Sequence, residues 1–290
     1  MPRGPDDHRL RRPAPVYLLA VVLLVAVAGG AVTLRLREVD RTAASTAVRP
    51  APSTARPGQQ PALPARAAPA DLPVIDYRSV PGGFPPDPTP QSTAALTEGL
   101  RPRARLAVYD APGGRPRAFL PPSISGVPVT VPILMRRGGW VAVLLPSINR
   151  TMGWLPAGRW AVQPLRDHLI LRRRTHELTW LRDGALVARW TVTTGSPATP
   201  TPLGRSFVLG RSTPGGAVYG GLDALVLGSV PDDRHAVPPA LRGAHTGIHS
   251  WHRGGSFGKS VSNGCIRVPK SGQRRLLSAI APGTPVSVVD

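Results

Sequence analysis

A single cysteine, Cys265, occurs in the sequence, which excludes a disulfide bond within the chain. Lysine is also scarce: Lys259 and Lys270 are the only two, so the formal net charge of +20 comes mainly from arginine. No stripe of basic and aromatic residues stands out, and the charge by itself does not indicate nucleic-acid binding. A weak attraction to anionic wall polymers or lipid headgroups is compatible with it.

The first part of the chain predicts a membrane segment. After a short tail at residues 1–15, residues 16–34 carry no charge over 19 positions, which is enough for a helix to cross about 30 Å of hydrocarbon. We expect a single-pass anchor in a bacterial cell membrane, with a cleaved signal peptide as the alternative. Arginines lie on both sides of the segment, so the positive-inside rule does not set its orientation.

The next part is rich in alanine, proline, threonine and arginine. Residues 35–101 contain few large apolar side chains and predict an extended linker without a core. Residues 102–160 consist of short apolar runs separated by glycine and proline, which predicts a small β-barrel module. This stretch resembles bacterial SH3-like modules in its WVAVLLP strand at 140–146 and its Gly-Trp turn at 153–154.

Residues 165–290 predict a further domain that is also mainly β. Alternating apolar and polar residues return at His168, and Asp183-Gly184 lies between two strand-like runs, as expected of a hairpin turn. Only residues 270–280 have a helical pattern, and residues 283–289 predict a closing strand.

The residues that could carry chemistry cluster around Cys265. A thiol of ordinary pKa, about 8.5, is only a few per cent thiolate at neutral pH, so a nucleophilic cysteine needs an imidazole or a cation beside it. Gly264 frees the backbone before the thiol, so that the amides of Gly264 and Cys265 could face an oxyanion. Arg267 would share a strand face with Cys265 and could bind a substrate carboxylate. Three upstream histidines are candidates for the base, and spacing does not choose among them: His245, His249 and His252.

Several motifs, in order, resemble the L,D-transpeptidase family, also called YkuD-like. The family signature is a histidine upstream of the hexapeptide Ser-His/Asn-Gly-Cys-Ile/Val-Arg. A Thr-Gly and a Thr-Pro-x-Gly segment match at 194–195 and 201–204, and the resemblance extends from Leu169 to Asp290. The signature residues here are His249-Ser250 and Ser262-Asn263-Gly264-Cys265-Ile266-Arg267.

This resemblance implies a β-sandwich catalytic domain and a ping-pong acyl transfer on peptidoglycan stem peptides. Cys265 would be the nucleophile and His249 the base, with its imidazole oriented by the Ser250 carbonyl. The amides of Gly264 and Cys265 would form the oxyanion hole. The reaction would release D-Ala from a tetrapeptide stem and form a 3-3 cross-link, or end in hydrolysis. No metal or organic cofactor is implied, and the domain would lie on the wall side of the membrane.

The other signature positions are expected to bind substrate. They are Ser262, Asn263 and Arg267, together with Tyr219, which could line the groove or simply pack. Asn263 stands where the family commonly has a second histidine, and an amide does not titrate, so no proton role is expected there.

Other interpretations of the same residues stay open. Cys265 could be an inert core residue, or it could ligate zinc with the three histidines, although Gly247 disfavours the helix that would align them. A sortase also uses His, Cys and Arg, but its cysteine normally lies in a TLxTC-like strand that SNGCIR does not match. A third alternative is a catalytically silent protein that binds the cell wall through the SH3-like module.

Overall fold

The computed structural model describes residues 63–78, 81–147, 150–214, 219–229 and 246–290. Within these ranges the chain is mainly β, as the sequence predicts, with nineteen strands and one α-helix. The predicted membrane segment at 16–34 lies outside the described residues. Among the residues that are described, no helix is long and apolar enough to span a membrane.

A seven-stranded sheet forms the first half of the described chain. Its strands run in the order β3-β2-β8-β7-β6-β1-β9, and a short β4-β5 hairpin stands apart from it. The sheet extends from 98 to 164, beyond both ends of the module predicted at 102–160, and the SH3-like identity stays a prediction. The seven strands are β1 (Glu98–Pro102), β2 (Leu106–Tyr109), β3 (Pro116–Leu120), β6 (Val131–Arg137), β7 (Trp140–Leu144), β8 (Met152–Pro156) and β9 (Trp160–Pro164). The separate hairpin consists of β4 (Ser123–Ile124) and β5 (Val127–Pro128).

Strand β7 shows why this sequence forms a sheet that is buried on both sides. Successive side chains of a strand point to opposite faces. Val141 and Val143 enter one apolar cluster, whereas Trp140 and Ala142 enter another together with Trp154. Every residue of the strand is therefore buried.

An eight-stranded sheet with the order β12-β11-β10-β19-β14-β15-β16-β18 forms the second half. Strands β10 and β19 pair in parallel, as do β16 and β18, and the other neighbours are antiparallel. Its strands are β10 (Asp167–Arg172), β11 (Glu177–Arg182), β12 (Ala185–Thr191), β14 (Gly204–Ser212), β15 (Ala224–Gly228), β16 (Gly247–Ser250), β18 (Ile266–Val268) and β19 (Pro285–Val289). A separate parallel pair consists of β13 (Thr194–Gly195) and β17 (Ser260–Ser262).

The local predictions for this half are confirmed. Asp183-Gly184 joins β11 to β12 as an antiparallel hairpin. Helix α1 (Lys270–Ala279) occupies the predicted helical stretch, and its Leu276 is fully buried in the core of the second sheet. The Gln273 side-chain amide donates to the Ile248 carbonyl, which attaches the helix to β16.

Strand β14 contributes to the cores of both sheets. Phe207 and Leu209 belong to the apolar cluster of the first sheet, whereas Val208 belongs to the cluster of the second. The strand itself lies between β19 and β15 in the second sheet. One strand is therefore the common wall of two cores.

The linker predicted over 35–101 is wrong for its described part, because residues 63–78 and 81–101 pack against the sheets. Ile75 is fully buried, and its amide donates to the Phe119 carbonyl at 2.8 Å on the edge strand β3. A proline-rich segment can protect a sheet edge in this way because it is already extended. Its low apolar content concealed the few side chains, Ile75 and Phe84 among them, that enter the core.

A buried ion pair fixes the same segment to the second sheet. The Arg205 guanidinium on β14 donates through Nε to Asp87 Oδ2 at 2.8 Å, and through Nη2 to Oδ1. The exposed fractions of the two side chains are 7% for Arg205 and 0% for Asp87. Ser287 Oγ on β19 also donates to the Ser92 carbonyl at 3.1 Å.

Candidate active site

Strands β16 and β18 bring the predicted base and the predicted arginine together. They pair in parallel with Ile248 opposite Ile266 and His249 opposite Arg267. Both isoleucines are fully buried in the core of the sheet. Because side chains alternate along a strand, His249 and Arg267 project from the opposite face of the sheet.

Cys265 immediately precedes β18 and is partly exposed. Its thiol forms a hydrogen bond with the backbone of Gly247, two residues before His249. The backbone before the thiol turns sharply, since Gly264 has a φ of +103°, a conformation that favours glycine. The only thiol of the chain thus lies at the end of the strand that carries His249.

The hydrogen bond of His249 determines its tautomer. Nδ1 lies 2.8 Å from the Ser250 carbonyl oxygen, which can only accept, so Nδ1 carries the proton and Nε2 has the free lone pair. Burial lowers the pKa of His249, and the positive charge of Arg267 lowers it further, while the bond to Ser250 opposes both effects. The imidazole is therefore neutral at neutral pH and able to accept a proton.

Although the Cys265 residue is partly exposed, the protein packed around its thiol desolvates it and raises its pKa. The bond from Gly247 and the charge of Arg267 offset this only in part. This differs from the sequence-based argument, which expects a thiol pKa lowered by a neighbouring imidazole or cation. Burial disfavours the charged form of both groups, so the resting pair is a neutral thiol and a neutral imidazole. A proton transfer to His249 during the attack would then form the thiolate.

We expect the alkylation of Cys265 by iodoacetamide to show this directly. In the native protein, the pH at which the rate reaches half its plateau should lie above the corresponding pH for the same cysteine in the urea-unfolded chain. Arg267→Gln should move it still higher, because a cation that favours the thiolate is lost. A native midpoint below the unfolded one would instead indicate a preformed thiolate-imidazolium pair.

Arg267 is held by its backbone and by one aromatic ring. Its amide and carbonyl both bond to Thr193, at 3.0 and 2.9 Å. Its guanidinium carbon lies 3.7 Å from the ring centre of Trp251. Among the described residues no carboxylate pairs with it, and its buried Nε has no hydrogen-bond partner. Burial lowers the pKa of Arg267, whereas Cys265 and Tyr219 act in the opposite direction.

Two aromatic rings adjoin the imidazole. The ring centroids of Tyr219 and Trp251 lie 4.9 and 5.9 Å from that of His249, and 6.3 Å from each other. Ser250 Oγ donates to the Tyr219 carbonyl, which attaches this part of the chain to β16. The rings contribute to the burial of His249, which is 6% exposed.

Hydrogen bonds of the Ser262 side chain stabilise the turn before Cys265. Ser262 is fully buried, its Oγ donates to the Cys265 carbonyl at 2.6 Å, and it accepts from the Gly264 amide at 3.2 Å. The hydroxyl is thus used within the turn, and the expected binding of substrate by Ser262 stays a prediction. The turn differs from the expectation for Gly264, whose N–H points to Ser262 rather than to a substrate oxygen. Asn263 is exposed beside the turn.

The Thr-Gly and Thr-Pro-x-Gly segments of the sequence motif, together with Thr199 between them, support the same turn. Thr199 Oγ1 donates to the Ser262 carbonyl at 3.1 Å, and Thr201 Oγ1 accepts from the Gly195 amide at 2.9 Å. A side chain at Gly195 would meet the Thr199 carbonyl oxygen at 2.2 Å, so only glycine fits this close approach. The motif thus positions the residues around the nucleophile rather than acting chemically.

Sequence reasoning missed Trp251 and Thr193, the two residues that hold Arg267. A tryptophan directly after His249-Ser250 was the available signal for the first, and no local pattern marks the second. Of the other candidate bases, His252 is exposed and lies against Arg253, while His245 lies outside the described residues. Within the described ranges, no group of three His, Cys, Asp or Glu side chains is arranged to hold a metal ion.

Sequence comparisons with known proteins agree on one family. The family model for the YkuD L,D-transpeptidase catalytic domain matches residues 166–288. The chain is 27% identical over 154 residues to the protein YkuD of Bacillus subtilis, which is named as an L,D-transpeptidase, covering 51% of this chain and 85% of that one. A YkuD protein of Bacillus licheniformis is 31% identical over 125 residues, covering 43% and 66%. A solved L,D-transpeptidase from Mycobacterium smegmatis matches with 16% identity and a TM-score of 0.35, covering 52% and 91%.

Proposed function

Since residues 166–288 of this chain belong to the YkuD family of L,D-transpeptidase catalytic domains, we propose that the protein transfers acyl groups between peptidoglycan stem peptides, with Cys265 as the nucleophile. The observation that carries the assignment of roles is the bond from His249 Nδ1 to the Ser250 carbonyl. It leaves Nε2 as the proton acceptor, on the strand whose first residue, Gly247, bonds to the only thiol of the chain.

In the first half-reaction, the Cys265 sulfur attacks the carbonyl between the third residue of a tetrapeptide stem and its terminal D-Ala. The thiol proton passes to His249 Nε2 as the sulfur-carbon bond forms. The carbon-nitrogen bond then breaks, the proton moves to the departing amine, and D-Ala leaves. A thioester with the shortened stem remains on the enzyme.

In the second half-reaction, the side-chain amine of a neighbouring stem loses a proton to His249 and attacks the thioester. The new amide is a 3-3 cross-link, and the thiol is restored. Water in place of the amine would give the shortened, uncross-linked stem, which is a carboxypeptidase outcome.

Two further roles belong to the proposal. The oxyanion is assigned to the Cys265 amide, because the Gly264 amide is bonded inside the turn. Arg267 is assigned to a substrate carboxylate, because its guanidinium has no carboxylate partner among the described residues. Tyr219 and Asn263 flank the groove as substrate contacts.

The proposed location is the wall side of a bacterial membrane, with residues 16–34 as a single-pass anchor. We propose this location because the stem-peptide substrate exists only on the wall side of the membrane. Reporters fused to the C-terminus test the orientation, and activity of a reporter that works only in the cytoplasm would contradict it.

The assay for the function is the incubation of the purified full-length protein with disaccharide-tetrapeptide fragments of peptidoglycan. We expect released D-Ala and a product with the mass of a cross-linked dimer. Cleavage of a sorting-motif peptide instead would favour the sortase alternative. Retention of the fragments without turnover would favour the silent wall-binding protein.

A further inference from the structure

Trp251 determines where the Arg267 side chain lies. The backbone of Arg267 is fixed on both sides by Thr193, so the strand sets only the start of the side chain. Its end lies 3.7 Å from the Trp251 ring centre, and this ring is the guanidinium partner found among the described residues. A stack of this kind contributes more when it is removed from water, and both residues are only partly exposed.

In this stack the Trp251 ring contacts the flat face of the Arg267 guanidinium. The edge of the guanidinium is left for other partners. The N–H donors of arginine lie in the guanidinium plane, where they can bond a carboxylate through two parallel hydrogen bonds. The buried Nε of Arg267 has no partner of its own in the described chain. A cation with a stacked face and an unbonded edge is suited to a planar anion.

The position of Arg267 suggests which substrate carboxylate it binds. Arg267 lies opposite His249 in the β16-β18 pair and two residues after Cys265, so it lies close to the atoms that react. In a tetrapeptide stem, the carboxylate nearest to the scissile amide on the leaving side is that of the terminal D-Ala, one carbon from the amide nitrogen.

We propose that Trp251 is a positioning residue that holds Arg267 for recognition of the free α-carboxylate of the leaving D-amino acid. This proposal rests on the proposed function and adds a specificity to it. Donor stems that end in a carboxylate are accepted, and those whose terminus is a carboxamide are discriminated against. The discrimination depends on the Trp251 ring although Trp251 does not touch the carboxylate.

The test compares kcat/KM of the full-length protein for two donor peptides that differ only at their end, D-Ala carboxylate against D-Ala carboxamide. For wild type we expect a preference for the carboxylate of roughly 10- to 100-fold, the size of a charge-assisted bond. Trp251→Leu should reduce this ratio about tenfold, and Trp251→Phe should reduce it less, because a smaller ring still stacks.

Two control experiments distinguish the positioning of Arg267 by Trp251 from a general loss of activity. Trp190→Leu removes another partly buried tryptophan, stacked on Trp180 at 6.4 Å, and should leave the ratio at the wild-type value. Arg267→Gln should abolish the preference, and adding Trp251→Leu to it should lower the ratio no further.

The outcomes separate this inference from the proposed function. If wild type cleaves neither peptide although iodoacetamide labels Cys265, the proposed function fails. If wild type prefers the carboxylate and Trp251→Leu lowers both activities by the same factor, Trp251 is merely structural and the inference is overturned.

Discussion

Replacing Cys265 with alanine is expected to lower stem-peptide turnover by a factor on the order of 10⁶. The loss is large because no other thiol exists in the chain, and without a covalent intermediate neither half-reaction can start. His249→Asn is expected to cost roughly 10² to 10⁴, since an asparagine amide can still donate to the Ser250 carbonyl but cannot take the thiol proton.

Acylation by a carbapenem is a second test of the roles of Cys265 and His249. The strained lactam carbonyl offers the thiol an electrophile equivalent to the stem amide, and opening of the ring leaves the whole drug on the sulfur. Intact-protein mass spectrometry should show one adduct in wild type, none in Cys265→Ala, and slower formation in His249→Asn. An adduct that persists in Cys265→Ala would place the nucleophile elsewhere and overturn the catalytic assignment.

Replacing Asp87 with alanine is expected to destabilise the protein by roughly 3–5 kcal/mol. The substitution leaves the Arg205 guanidinium buried and unpaired within the fold. It also removes the negative charge that favours the protonated form of Arg150, whose pKa burial lowers to about 10. Arg205 would then be buried without a counter-charge, and the partly exposed Arg150 would lose a favourable charge, so the cost would lie mainly in the desolvation of Arg205.

Urea unfolding followed by tryptophan fluorescence measures this effect. Glu98→Ala is the matched control, because its pair with Arg136 is exposed on both sides and should contribute less than about 1 kcal/mol. The double variant Asp87→Leu with Arg205→Met should recover most of the loss, since an apolar pair needs no partner charge. Equal urea midpoints for Asp87→Ala and Glu98→Ala would show that the buried ion pair contributes no more to stability than the exposed one.

The sequence predicted those features that are encoded locally. Apolar runs between glycine and proline predicted strands of the first sheet, and alternation predicted strands of the second. Asp183-Gly184 predicted a hairpin, and the spacing of apolar residues predicted helix α1. The proposed nucleophile and base came from motif order, and the structure places His249 against the Ser250 carbonyl as that resemblance implied. These features depend on neighbours within one turn or one strand.

The features that sequence reasoning missed depend on residues far apart in the chain. Asp87 and Arg205 are 118 positions apart, and nothing local to either marks the other as its partner. The contacts of Ser262 were missed because its bonds to Cys265 and Gly264 depend on how the turn folds. The direction of the Cys265 pKa was also missed, because it follows from burial, which no spacing of charges reveals.

Because strand β14 contributes to two cores, the segment that matches the family is not expected to fold without the residues before it. A fragment starting at residue 166, where the family match begins, would keep the site residues but uncover the Phe207 and Leu209 side chains. It would also separate Arg205 from Asp87. The upstream sheet is thus part of the scaffold on which the catalytic strands depend, and a mutation there can impair the enzyme without touching its site.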